Sequence, residues 1–122
     1  MATVTVGSDN GSLVEPAISI KTARTGYGQS RRIVHLMEAA GGQTAIGSQG
    51  DTDIGTLCAA HFQAAHRATS RWPGELSYFL DVTDTLTTVP PVIRDGVLCV
   101  PPGVGLGVDA HADKLTHSRT DL

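Results

Sequence analysis

Lys21, the turn from Ser48 to Asp51, and Glu75 are the polar groups whose types and positions can do chemistry in this chain. Lys21 closes the run Ala17-Ile-Ser-Ile, which suits a buried strand, so it sits where that strand ends. A lysine that is desolvated or close to other cations can work as a proton-transfer base. The same lysine reaching into water is an ordinary surface residue. Asp51 and Asp53 flank the start of a helix, where the dipole and capping favour carboxylates. Asp53 reads as the cap, which leaves the role of Asp51 open. Glu75 follows Pro73-Gly74, and an acid there can be catalytic, can bind substrate or can be solvated. Taken together, these groups lie at or near strands in successive βα units. In a parallel barrel such positions converge on one mouth, where catalytic groups collect.

The elements that must position them follow from periodicity. After the Ala17–Lys21 strand, Gly26 and Gly28 permit a tight turn, and Ile33, Leu36, Met37 and Ala40 recur at helical spacing across 29–40. Gly41-Gly42 ends that helix. Residues 43–48 predict a second strand. A helix beginning near Asp53 would bury Ile54, Leu57, Cys58, His61, Phe62 and Ala65 along one face. Pro73-Gly74 breaks it, and residues 75–80 predict a third strand. The order β-α-β-α-β favours parallel strands with right-handed crossovers. Beyond Pro90-Pro91, residues 92–100 predict a hairpin turning at Asp95-Gly96, and 110–116 a closing helical turn. Residues 1–16 hold one alternating stretch that suits a short strand, and otherwise read as a poorly ordered leader.

Composition excludes several classes. The 122 residues are one domain long, 40% hydrophobic and 17% charged, with a formal net charge of −3 and no basic run. That balance supports neither a nucleic-acid partner nor a membrane surface. With no span-length apolar run and no signal-like start, the expected location is cytoplasmic. Cys58 and Cys99 have no paired spacing and read as buried thiols. Cys58, His61 and His66 do not complete a metal cage. Gly103-Val-Gly-Leu-Gly has the wrong spacing and context for a dinucleotide loop.

The run from Ala17 to about Leu115 resembles the C-terminal part of the enolase superfamily, in its mandelate racemase and muconate lactonizing branch. Residues 18–26 are similar to that family's sixth barrel strand with its catalytic lysine. Residues 46–55 resemble the seventh strand and its turn, with Asp51 where relatives commonly carry glutamate. Glu75-Leu76 resembles the start of the eighth strand, and residues 92–108 the C-terminal segment that folds back towards the capping domain.

The resemblance implies an α/β fold, with residues 17–122 forming about three βα units of a (β/α)8 barrel. It also implies abstraction of a proton α to a carboxylate by an isomerase or lyase, the enolate being held by magnesium. Lys21 would be the acid/base lysine, and Ser48, Asp51 and Glu75 would shape or polarise the substrate pocket. The family's metal ligands and further lysines belong to strands that this chain lacks, as it lacks the capping domain. The expectation is therefore magnesium and a small carboxylate substrate in the complete enzyme, with no metal and no activity in this chain alone. Ile18, Ile20 and Ile46 are expected to need cover from a complementary N-terminal chain or from self-association, or else to leave the chain partly disordered. The alternative is a non-catalytic remnant or interaction module.

Overall fold

The computed structural model describes residues 17–118, together with the backbone of residues 3–5. The elements run β1 Thr3–Thr5, β2 Ala17–Ile20, α1 Thr22–Ala39, β3 Gln43–Ile46 and α2 Asp53–Ala65. Two 3-10 turns follow, at Arg67–Arg71 and Tyr78–Asp81, then β4 Ile93–Arg94, β5 Val97–Cys99 and α3 Ala112–His117. No helix among the described residues is long and apolar enough to cross a membrane.

Strands β2 and β3 are parallel, with Ala17 opposite Gln43 and Ile20 opposite Ile46. Helix α1 is the crossover that a parallel pair requires. Because side chains alternate along a strand, Ile20 and Ile46 fall on the helix-facing side and join Val34, Ala59, Ala60, Phe62 and Leu76 in the core. Of the three isoleucines expected to need outside cover, these two are buried by the chain's own helices. Ile18 alone remains uncovered, at 42% exposure.

Helix α1 begins with a short helical segment at Thr22, immediately after Lys21, and is interrupted at Gly26, whose φ 64° and ψ 172° are not helical, so the expected glycine turn divides it from the longer segment that follows. The buried stripe is Ser30, Val34 and Met37, whereas Leu36 of the expected stripe is 70% exposed. At the far end Gly41 adopts φ 71°. Gly42 N–H donates to Met37 O at 2.8 Å and Gly41 N–H to Glu38 O at 3.1 Å, the paired bonds of a Schellman stop.

Helix α2 is also rotated from its expected face. Thr56, Leu57, Ala59, Ala60, Phe62 and Gln63 are buried, while Ile54, Cys58 and His61 are only half-buried and Ala65 is exposed. The alanines are small enough to bring the helix close to the other core residues, so the bulkier edge turns outward. Both cysteines are free and half-buried, not fully buried as expected. Tyr27 of α1 packs against Phe62, ring centroids 5.6 Å apart, and its hydroxyl donates to Cys58 O at 2.6 Å. Burial, with the neighbouring Cys58, pushes the Tyr27 phenol up to about 12.

The third predicted strand is not a strand. Glu75 N–H donates to Ile46 O at 2.9 Å, so the chain begins to pair beside β3. Pairing stops at once, and Tyr78–Asp81 curls into a 3-10 turn. The hairpin forms as expected, Ile93–Arg94 against Val97–Cys99. Asp95 (φ 51°) and Gly96 (φ 74°) supply the two left-handed residues of its turn. β1 pairs antiparallel with β5, Thr3 opposite Cys99. The rest of the leader, residues 1–2 and 6–16, lies outside the described residues, as do 119–122.

Gln63, 1% exposed, ties the end of α2 to the following loop by donating to Thr69 O at 3.2 Å and Trp72 O at 3.1 Å. A Cβ at Gly74 would collide with its Oε1. Gly74→Ala is therefore expected to destabilise the chain by about 1–3 kcal/mol, the usual cost of overpacking. Urea denaturation measures it, and an unchanged midpoint would show that the loop yields freely.

Candidate active site

Lys21 is the last residue before α1, with extended φ −120° and ψ 101°, so its side chain leaves the sheet at the carboxyl end of β2. Its Nζ donates to Ser48 O at 2.6 Å, across the mouth between the two parallel strands. The anchor is the carbonyl of Ser48; its hydroxyl serves the local turn. Ser48 Oγ accepts from Gly50 N–H and Asp51 N–H, each at 3.1 Å, an arrangement that fixes the loop between β3 and α2. Gly50 at φ 79° completes the bend, with the Tyr78 ring beside it.

Gly47 is the centre of the cluster. Its N–H donates to Ile20 O at 2.8 Å, extending the β2–β3 pairing by one residue. From the position where a Cβ would stand, Ser19 Oγ is 2.5 Å away, Glu75 Oε2 3.7 Å and Lys21 Cε 3.7 Å. Lys21, Ser48 and Glu75 are thus gathered at one strand-end mouth. The Glu75 carboxylate is exposed and makes no hydrogen bond or ion pair among the described residues.

Asp51 is placed differently. It is 8% exposed, its carboxylate accepts from Gln49 N–H at 3.1 Å, and it packs against Gly55 in the first turn of α2. No hydrogen bond joins it to Lys21 or Glu75 among the described residues. Its charge lies near enough to Cys58 to add to the rise in that thiol's pKa, which burial dominates. Asp53 is not the helix cap: Thr52 is, without a side-chain bond, and the Asp53 carboxylate is turned inward to residues 86 and 87.

Ser19 and Gly47 were missed from the sequence. Ser19 lies two residues before Lys21, so strand alternation alone places it on the same face; Gly47 is the residue at which β3 gives way to its loop. Among the described residues, no three His, Cys, Asp or Glu side chains group to hold a metal ion. Magnesium prefers octahedral oxygen ligation, and the donor set here does not supply it.

Residues 16–114 match the family model described as enolase C-terminal domain-like. Over 102 residues the chain is 34% identical to a chloromuconate cycloisomerase from Pseudomonas putida, covering 83% of this chain and 27% of that protein. Among solved structures, the muconate lactonizing enzyme from Mycobacterium smegmatis superposes with a TM-score of 0.80 at 53% identity, covering 86% of this chain and 30% of that one. The muconate cycloisomerase from Pseudomonas fluorescens superposes with a TM-score of 0.67 at 32% identity, covering 75% and 25%. The fold is therefore the C-terminal portion of a (β/α)8 barrel, and the chain spans about 27% of the curated relative's length.

Proposed function

The chain belongs to the enolase C-terminal domain-like family, and from that premise we propose that it supplies the sixth-to-eighth-strand side of a barrel that removes a proton α to a substrate carboxylate. The observation that carries this reading is the gathering of Lys21, Ser48 and Glu75 around Gly47. The substrate class is a small carboxylate, as the muconate-acting relatives suggest, and the reaction is that of an isomerase or lyase.

Lys21 is the proton-transfer group in this proposal. Its contact with the Ser48 carbonyl holds Nζ at the mouth, in the place where a substrate α-carbon would be offered. The proton would move between that carbon and the lone pair of Nζ in its amine form, while one N–H of Nζ stays donated to Ser48 O. Glu75 stands across Gly47 as an unpaired carboxylate and would polarise the pocket. Ser48 sets its shape through the turn it closes, and Asp51 supports that turn from behind. When bound, magnesium would supply charge stabilisation for the enolate; because the donors here do not fit it, its ligands would come from other strands of the barrel.

Those strands would also satisfy the open edge of β2. An unpaired strand edge invites pairing, and Ile18 beside it stays 42% exposed. The occupant in this reading is a complementary N-terminal chain. The remnant or interaction-module alternative has the same surface and lacks the chemistry.

One experiment separates the two. Co-expressed with the N-terminal segment of the Mycobacterium smegmatis enzyme, the chain is expected to form a complex that takes up magnesium and exchanges the α-proton of muconolactone with solvent, while alone it does neither. Proton NMR in deuterated water and calorimetry follow the two signals. A stable complex without exchange would favour the interaction module.

A further inference from the structure

The geometry points to Ser19 as a substrate-contacting residue, one that selects for a carboxylate oxygen and that requires glycine at position 47. This rests on the proposed function above. Ser19 lies on the same strand face as Lys21, is exposed, and its hydroxyl has no hydrogen-bond partner among the described residues. That hydroxyl leans over Gly47, 2.5 Å from where a Cβ would stand, with Lys21 Cε and Glu75 Oε2 each 3.7 Å from the same point.

Gly47 is not needed for its backbone: it is absent from the residues of positive φ, so an L side chain could adopt its conformation. The glycine is explained by space. A methyl group there would drive the Ser19 hydroxyl out of its position, while meeting Lys21 Cε and Glu75 Oε2 only at van der Waals distance. The chemistry of the three groups defines what fits. A carboxylate such as Glu75 accepts and does not donate, whereas a serine hydroxyl can donate to an anionic oxygen. An acid substrate can therefore rest one carboxylate oxygen on Ser19, which leaves Nζ of Lys21 to the α-proton. Sites that hydrogen-bond a polar group discriminate strongly against ligands lacking it, because their own polar groups are then left unpaired.

The test uses the completed barrel, the full chain with the N-terminal segment of the Mycobacterium smegmatis enzyme, and muconolactone as probe. Ser19→Ala is expected to raise KM for α-proton exchange about tenfold with kcat within about threefold, the mark of a lost binding contact. Gly47→Ala should raise KM by a similar factor, since it displaces the same hydroxyl. The double variant should be no worse than either single one, the non-additivity of two changes acting through one interaction. A KM within twofold of wild type in Ser19→Ala, or fully additive losses in the double variant, overturns the assignment. Lys21→Ala runs in parallel: exchange that survives it shows that the site itself has been misread. Absence of exchange in the unmutated complex overturns the proposed function and this assignment together.

Discussion

Lys21→Ala in the completed barrel is expected to reduce α-proton exchange by about 10²–10⁴-fold, the usual contribution of a positioned acid or base. The loss should fall on kcat, because the missing group acts on the reacting proton. Removing Lys21 also frees the Ser48 carbonyl, which now accepts from Nζ at 2.6 Å. That carbonyl lies at an open strand end, where water can replace the lost donor, so folding should be little affected. Lys21→Arg separates charge from proton transfer. A guanidinium keeps the charge and can still reach a carbonyl, but it does not deprotonate in proteins. It should restore the contact with Ser48 and leave exchange as low as in the alanine variant. Exchange by NMR on both variants decides it, and near-wild-type rates in either one would remove Lys21 from the role of base.

The site was legible to the degree that it depends on strand ends. Lys21 and the Ser48 turn follow β2 and β3, whose limits the alternation of Ile18, Ile20 and Ile46 and the flanking glycines marked within two residues. Glu75 lies beside the end of β3, held there by one backbone bond to Ile46 and not by the strand expected, because the chain curls into a 3-10 turn at Tyr78–Asp81. What could not be read was rotation about an axis. Periodicity finds a helix, but α1 and α2 each carry apolar residues on more than one face, and tertiary contact chose between them. In α2 the choice went to Ala59 and Ala60, which permit close approach, over Cys58, His61 and Ala65. Ser19 was overlooked because a serine inside a strand carries no chemical signal until its neighbour is known to be Gly47.

Asp53, expected to cap α2 and found instead just inside it, leads to the largest expected effect on stability. At the start of a helix an aspartate reads as a cap, since local sequence shows only its own helix. In the fold it lies one residue inside α2, is 3% exposed, and gathers a distant segment. Its Oδ2 accepts from Leu86 N–H at 2.9 Å, Thr87 N–H at 2.8 Å and Thr87 Oγ1–H at 2.6 Å. These bonds fasten the chain after the missing third strand, at the point where Thr87 also bridges to Ala110. Thr87 is 1% exposed, so water cannot readily replace the carboxylate. Each buried donor left without an acceptor costs about 1–3 kcal/mol. The Thr87 hydroxyl can turn to Val89 O at 3.1 Å, but the Leu86 and Thr87 N–H groups both lose their acceptor, so Asp53→Ala should destabilise the chain by about 3 kcal/mol, a large part of the roughly 5–15 kcal/mol that holds a domain folded. Asp53→Asn keeps one carbonyl oxygen and should lose less than the alanine variant. Urea denaturation of the two variants, paired with Thr87→Val in a double-mutant cycle, measures the coupling directly. A loss below about 1 kcal/mol in Asp53→Ala, or no coupling to Thr87, would mean that the hairpin end of the chain is held by its apolar contacts, Leu98 and Val100 in the core, and not by this carboxylate.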